Sequence, residues 1–423
     1  MLRLQLRLRC GGDQDEPGKQ GTAHFLEHII FQTQDPETRK MINEFKALGG
    51  SIEAYTNSAW TTYCFMSPKG IQNEALAQAL AARMVFKPQF DDNDMNKERS
   101  VIINEYHDHC EEQEKNIGSQ IKSVAFDLKG QVEPVIGNEE TLQNLDAQDL
   151  KNFHARYYKA SNAEIEITGH SSGLGFFNDI KNNFGHLPDL PAPGKPPPSG
   201  KASYKGGYSH LDMDVRQAQF GIAFKITGGA ENETSQDSAR KYAESSVLRT
   251  YIHNQVLKHL RQDQRQVYSP TVFNDFKDQD RILSIHLRTR PETADTVLPT
   301  ISRIITDMAA GKIDDNLFQR TIAACAREIV ARGETTGPRD VSSPLHRMRV
   351  TRDSQAALQK VTKQDLINIV KSTMLASPPT LVTGGDVSKA QSYEEFKAML
   401  PPSAAKADMQ ATPTTKNKNG LKT

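Results

Sequence analysis

A proline-rich segment divides this chain of 423 residues into two parts of similar length. Six prolines fall within eleven residues, from Pro188 to Pro198. Because proline fixes φ and lacks a backbone N–H donor, neither a helix interior nor a central strand can cross this segment. We therefore predict an extended, semi-rigid linker at residues 187–202, between a first domain at 1–186 and a second at 203–400.

The composition excludes several classes of protein. Lys+Arg and Asp+Glu are equal at 52 each, so no net charge attracts nucleic acid or an anionic membrane. No apolar run approaches 18 residues, which predicts that no helix spans a membrane. The four cysteines are scattered without a C-x-x-C pair, which favours buried thiols over a disulfide framework.

The two ends of the chain also have patterns that predict their structure. Residues 2–9 alternate apolar and polar side chains, a pattern typical of a strand and not of a signal peptide. This favours the cytoplasm, and a periplasmic or organellar location stays open if the chain is a processed form. The segment at 401–423, rich in Ala, Thr, Lys and Asn, predicts a disordered tail.

Two histidines and a glutamate in the run at residues 21–31 have the spacing of a metal site on a helix. His24 and His28 are four residues apart, and Glu27 comes to the same side as His24. Two imidazoles at this spacing suit a zinc ion, and a carboxylate beside them can act as a base. The order H-x-x-E-H is the inverzincin pattern. The alternative is an amphipathic helix with two surface histidines.

A zinc site of this kind needs a third protein ligand. A helical pattern at 91–116 places Glu98 and Glu105 seven residues apart on one face. With these residues the chain resembles the M16 family of metallopeptidases. That family has a glutamate ligand at about this distance after H-x-x-E-H, and a second glutamate seven residues before it.

The resemblance implies a role for each of these residues. His24, His28 and Glu105 would be the ligands of one Zn²⁺ per chain. Glu27 would be the base that activates zinc-bound water, and Glu98 a carboxylate that orients a ligand. His107, His109 and Cys110 follow close by. His109 lies four residues after Glu105 and either competes as a ligand or is solvent-exposed, while the roles of His107 and Cys110 stay undetermined.

A hairpin pattern follows the predicted metal helix. Residues 51–66 predict two short strands around a turn at Asn57-Ser58. The resemblance implies that the first strand is an edge strand to which a substrate peptide adds, with Glu53, Ala54, Tyr55 and Thr56 in contact. The family typically has asparagine at position 53, so Glu53 either weakens this clamp or shifts the preference towards basic peptides. The alternative is an ordinary hairpin on the core.

The second half holds another pair of candidate residues. It begins with a predicted strand at 217–226 and a long helix at 235–262, followed by a strand near 267–275. Arg261 and Tyr268 are seven residues apart there, as the resemblance requires of the half opposite the zinc. A guanidinium and a phenol can donate to the oxygen that becomes anionic during attack on a peptide carbonyl. The usual glycine before the tyrosine is absent, and Arg265 is a rival donor.

The resemblance implies an α+β fold of two related α/β-sandwich halves facing across a closed chamber. Each half would have a mixed, largely antiparallel sheet with helices packed on it. We predict a zinc metalloendopeptidase for short or unfolded peptides, paired as a homodimer or as a heterodimer with another M16-like chain. The alternative is a non-catalytic or partner-dependent M16-like subunit that binds peptides. The presence of every expected zinc ligand favours the enzyme.

Overall fold

The chain folds into two compact units. The computed structural model describes residues 1–114, 116–128, 135–169, 175–187, 203–228, 235–267, 269–277, 280–334 and 352–402. The first unit contains residues 1–111 and the described part of 130–200, and the second contains 112–128 and the described residues from 203 onwards. The proline-rich segment at 188–202 and the tail at 403–423, for which the sequence predicts a linker and disorder, lie outside the described residues.

The first unit is built on a four-stranded antiparallel sheet. Its strands are β1 (Leu2–Leu8), β2 (Ser51–Thr56), β3 (Thr61–Ser67) and β4 (Ala163–Gly169). Their order is β2-β3-β1-β4, so β1 lies inside the sheet and β2 at its edge. The predicted first strand and the predicted hairpin are thereby confirmed. The alternating leucines of β1 are all buried in the core of this unit.

The second face of β1 is buried as well, although it carries basic residues. Arg7 is only 1% exposed. Its guanidinium carbon lies 4.5 Å from the centre of the Trp60 ring, and its Nη1 lies 3.8 Å from a carboxylate oxygen of Glu164. Stacking on the indole face and pairing with a carboxylate both stabilise a desolvated guanidinium.

Helices cover the leucine face of this sheet. Four are used below: α1 (Thr22–Phe31), α2 (Pro36–Ala47), α3 (Ile71–Phe86) and α4 (Asp92–Glu114). Three more helices follow at Glu139–Asn144, Ala147–Tyr157 and Phe176–Phe184. Helix α2 begins at Pro36, because the Asp35 carboxylate accepts the Thr38 N–H at 2.9 Å and proline is tolerated at the first helical position.

The second unit is built on a five-stranded sheet. Its strands are β5 (Gly207–Leu211), β6 (Ala218–Gly228), β7 (Thr271–Lys277), β8 (Asp280–Thr289) and β9 (Thr380–Gly384). Their order is β5-β9-β6-β8-β7, and only β5 and β9 run parallel. This mixed, largely antiparallel sheet confirms the predicted α+β class. β5 was not predicted, and the strand predicted to begin at 267 begins at Thr271, with Val267 forming only an isolated bridge to Thr289.

Helices pack on this second sheet too. They lie at Ser235–Val256, Val297–Ala309, Asp315–Glu334, Lys363–Ile369 and Tyr393–Met399. Across the described ranges, none of the helices is both long enough and apolar enough to cross a lipid bilayer.

One helix from early in the chain belongs to the second unit. The helix Ile117–Ala125 packs on β6, where a Cβ at Gly221 would lie 2.4 Å from Cγ2 of Ile117. Only a glycine allows this close approach of helix and strand. The sequence places this helix in the first domain, whereas its contacts group it with the second unit.

Candidate metal centre

Helix α1 presents two imidazoles on one face. The ring centres of His24 and His28 are 4.6 Å apart, with an angle of 57° between the ring planes. Both side chains are mostly buried, whereas the apolar residues Phe25, Leu26 and Ile29 anchor the helix in the core. The four-residue spacing thus places both rings on one face of the helix, as the sequence predicts.

Helix α4 brings a carboxylate to the same point. The Oε1 of Glu105 lies 3.9 Å from Nε2 of His24, and its Oε2 lies 3.3 Å from Nε2 of His28. One ligand atom from each of the three residues lies within 4.8 Å of the others. Two imidazole nitrogens and one carboxylate oxygen form a donor set that suits zinc and leaves a coordination position open. The predicted third ligand therefore meets the two histidines.

Glu98 contacts His28 at Nδ1, the ring nitrogen that does not face Glu105. Its Oε1 lies 3.0 Å from Nδ1 of His28, and its side chain is only 10% exposed. Because an ionised carboxylate can only accept, the Nδ1 of His28 carries the proton in this pair. In the neutral imidazole the lone pair then lies on Nε2, the nitrogen that faces Glu105. Such a contact fixes both the orientation and the tautomer of a histidine ligand.

The electrostatics of the cluster favour a bound cation. Burial lowers the pKa of His28, but the carboxylates of Glu105 and Glu98 more than offset this and raise it to about 9. Surroundings that hold a proton this strongly also attract a divalent cation, which displaces that proton on binding. The residues present therefore fit a zinc ion.

Glu27 is a buried carboxylate beside the cluster of His24, His28 and Glu105. It is 7% exposed, and its Oε2 accepts the hydroxyl hydrogen of Thr56 at 2.6 Å. Burial raises the pKa of Glu27, and the hydrogen bond from Thr56 offsets part of that effect. Thr56 belongs to the edge strand β2, so this contact links the strand to α1. Both residues are candidates from the sequence, but no pattern in the sequence indicates that they are in contact.

Two family models match the sequence of this chain. A sequence model of the insulinase family, Peptidase family M16, matches residues 3–139, which contain the whole cluster. A second model, the peptidase M16 inactive domain, matches residues 144–325. The chain belongs to the M16 peptidase family.

Several M16 proteins are similar in sequence. An uncharacterized zinc protease of Rickettsia bellii is 26% identical over 227 residues, which are 53% of this chain and 54% of the relative. The uncharacterized zinc protease YmxG of Bacillus subtilis is 23% identical over 303 residues, 69% of this chain and 71% of its own. The mitochondrial-processing peptidase subunit beta of Blastocladiella emersonii is 24% identical over 49% of this chain and 43% of the subunit. The chain thus matches only about half the length of some of these relatives.

Solved structures share the fold. A protease from Helicobacter pylori has a TM-score of 0.70 at 18% identity, covering 91% of this chain and 94% of that one. The first half of the periplasmic protease PqqL from Escherichia coli has a TM-score of 0.74 at 16% identity, covering 94% and 90%.

Of the other residues singled out on α4, His107 lies outside the cluster. His107 is half-exposed, and its Nε2 lies 3.5 Å from Glu139 instead. The side chains of His109 and Cys110 lie outside the described residues.

The predicted substrate strand lies at a sheet edge. Within the described sheet β2 pairs with β3 alone, as an edge strand must. Ala54 and Thr56 face the helices, whereas Glu53 and Tyr55 face the opposite side of the sheet. Glu53 is exposed to solvent. Contact of these residues with a peptide stays a prediction.

Of the predicted pair Arg261 and Tyr268, the structure describes only Arg261. The sequence predicts one helix at 235–262, but the α-helix ends at Val256 and a π-helix runs from Leu257 to Asp263. Arg261 lies exposed in this π-helix, a conformation often found at functional sites. The rival donor Arg265 is exposed in a left-handed conformation with φ 55°. Tyr268 lies outside the described residues, so the pairing of Arg261 with Tyr268 stays a prediction.

Proposed function

We propose that this protein is a zinc-dependent metalloendopeptidase that hydrolyses short or unfolded peptides. The observation that carries the proposal is the convergence of His24, His28 and Glu105 beside the buried carboxylate of Glu27. The names of its relatives, which include zinc proteases, support the same reading. A zinc ion held by these three side chains would act as a Lewis acid towards the attacking water and the peptide carbonyl.

Glu27 moves the proton in this mechanism. Its carboxylate takes a proton from water as the water oxygen forms a bond to the carbonyl carbon. It then gives that proton to the amine nitrogen as the C–N bond breaks. A pKa raised by burial brings a carboxylate closer to the operating pH and makes both transfers efficient. The Thr56 hydroxyl occupies Oε2 and leaves Oε1 for the water.

Arg261 and Tyr268 complete the proposal from the second half of the sequence. Their side chains would donate hydrogen bonds to the carbonyl oxygen as its negative charge develops. If this chain lacks an effective donor pair, another M16-like chain would supply one. A homodimer or a heterodimer with such a chain is the assembly that we propose.

Zinc removal tests the function directly. Purified protein is expected to contain about one zinc ion per chain and to cleave a library of quenched fluorescent peptides. Chelation should abolish cleavage, and added zinc should restore it, because the Lewis acid is then returned. Protein that binds no zinc would overturn the proposal. Zinc binding without cleavage would mean that the chain does not act alone as an enzyme. It would then be a subunit that needs a partner chain for activity or that only binds peptides.

The substrate path follows from the hydrogen bonding of β2. The N–H of Asn57 donates to the carbonyl of Trp60 at 2.9 Å, so these residues form a hydrogen-bonded pair. Since such pairs alternate along an antiparallel ladder, the N–H and C=O groups of Ala54 and Thr56 point away from β3. A peptide that pairs with them would pass beside Glu27.

A proline at position 54 removes one of these outward donors. For Ala54→Pro we expect kcat/KM to fall by about tenfold, the value of roughly one hydrogen bond. Its unfolding midpoint should stay close to that of the wild type, because this N–H is not part of the β2–β3 ladder. Ala54→Ser keeps the N–H and is the matched control. Equal kcat/KM values for the two variants would exclude peptide pairing at this edge.

A further inference from the structure

We infer that Asp15 is a positioning residue for the metal centre, because its carboxylate sets where helix α1 begins and thereby where His24 lies. The inference rests on the proposed zinc function. Asp15 lies nine residues before His24, in a segment that ends in the loop before α1. It touches neither the predicted ligands nor Glu27 in any described contact.

The carboxylate of Asp15 accepts hydrogen bonds from the first amides of α1. Its Oδ2 accepts the N–H of Gly21 at 2.8 Å, and its Oδ1 accepts the N–H of Ala23 at 2.9 Å. These N–H groups have no partner within the helix, because the first turn of a helix leaves its donors unpaired. Both carboxylate oxygens are therefore used at the residues directly before His24.

Helix α1 cannot be capped by its own N-terminal residue. That residue is Gly21, which has no side chain and adopts a left-handed conformation with φ 94°. A Cβ there would lie 2.5 Å from the carbonyl oxygen of Ile136, so no larger residue fits. The cap must come from elsewhere in the chain, and Asp15 supplies it.

The segment that carries Asp15 is tied to the hairpin turn after β2. The N–H of Gly12 donates to the carbonyl of Asn57 at 3.1 Å, and the N–H of Asp13 donates to the carbonyl of Ser58 at 2.8 Å. The neighbouring Thr56 holds Glu27. The start of α1 and the carboxylate of Glu27 are thus both held by one end of the hairpin. This arrangement fixes the ligands and the base relative to each other.

Asp35 is another carboxylate cap in this unit, at the start of a different helix. Asp35 accepts the N–H of Thr38, three residues further on, and pairs with Arg83. It caps α2, which carries none of the predicted ligands. Asp35→Asn therefore weakens a cap of the same chemical kind without touching the start of α1, which makes it the matched control for Asp15→Asn.

The experiment measures zinc affinity by competition with a chromophoric chelator, together with the unfolding midpoint of the zinc-free protein. For Asp15→Asn we expect the zinc dissociation constant to rise by roughly 10- to 100-fold, as when a group that orients a ligand is lost. For Asp35→Asn we expect a comparable fall in the unfolding midpoint but a dissociation constant within about twofold of the wild type. Asp15→Glu, which keeps the charge on a longer arm, should lie between wild type and Asp15→Asn.

The outcomes separate this inference from the proposed function. If Asp15→Asn lowers the midpoint but binds zinc as the wild type does, Asp15 only stabilises the fold and the inference is wrong, while the function stands. If Asp15→Asn does not fold, the zinc affinity of Asp15→Glu tests the inference instead. A zinc dissociation constant in Asp15→Glu equal to that of the wild type overturns the inference. A wild type without zinc affinity overturns both.

Discussion

Replacing Glu27 with glutamine is expected to abolish peptide hydrolysis while the protein keeps about one zinc ion per chain. Glutamine has nearly the same shape and can still accept the Thr56 hydroxyl hydrogen through its amide oxygen. It cannot accept a proton from water or deliver one to the amine, so the general acid–base contribution is lost. That contribution is typically 10²- to 10⁴-fold, and we expect kcat to fall by at least this factor.

The measurement pairs hydrolysis rates with zinc content for the same preparations. Thr56→Ser keeps the hydroxyl that holds Glu27 and is the control for disturbance of β2, with an expected rate close to that of the wild type. Loss of zinc from the Glu27→Gln variant would show that Glu27 is a zinc ligand and not the base. An unchanged rate would remove Glu27 from the mechanism.

Replacing Glu105 with glutamine is expected to lower zinc affinity at least 100-fold and to abolish hydrolysis. The carboxylate supplies the one negatively charged ligand atom of the three, and an amide oxygen is a much weaker donor to zinc. The side chain is 49% exposed, so the substitution creates no cavity in the core. The fold should therefore survive, and the unfolding midpoint of the zinc-free protein should change little.

Glu139→Gln is the matched control for this prediction. Glu139 is equally exposed and pairs with His107 on the same helix α4, outside the cluster. Its replacement should leave zinc affinity and hydrolysis unchanged. Wild-type zinc affinity in Glu105→Gln would mean that another side chain completes the site, and the assignment of the third ligand would be wrong.

Much of the site follows from local spacing. His24, Glu27 and His28 come together because a helix repeats every 3.6 residues, and the same periodicity places Glu98 and Glu105 on one face of α4. The motif residues could therefore be assigned to two helical faces without any knowledge of the fold. The alternation of β1 is equally local, and the structure confirms the strand that it predicts.

Contacts between distant residues were not predictable in this way. The bond from Thr56 to Glu27 joins positions 29 residues apart, and the ion pair from Glu98 to His28 joins positions 70 apart. Burial of Arg7 is another example, since a basic residue on an alternating strand is expected to face water. It is buried because side chains next to β3 and on β4 lie against it, and only the order of the strands in the sheet brings them there.

By itself the sequence determined the residue types and the spacings within each helix, which depend only on backbone geometry. Together with the resemblance to the M16 family, it thereby determined the candidate ligands, the candidate base and the order of most elements. The tertiary structure decided which faces meet, because packing of the core sets how α1, α4 and β2 lie against each other. It alone brought Glu105 to the two histidines, Thr56 to Glu27 and Asp15 to the first amides of α1.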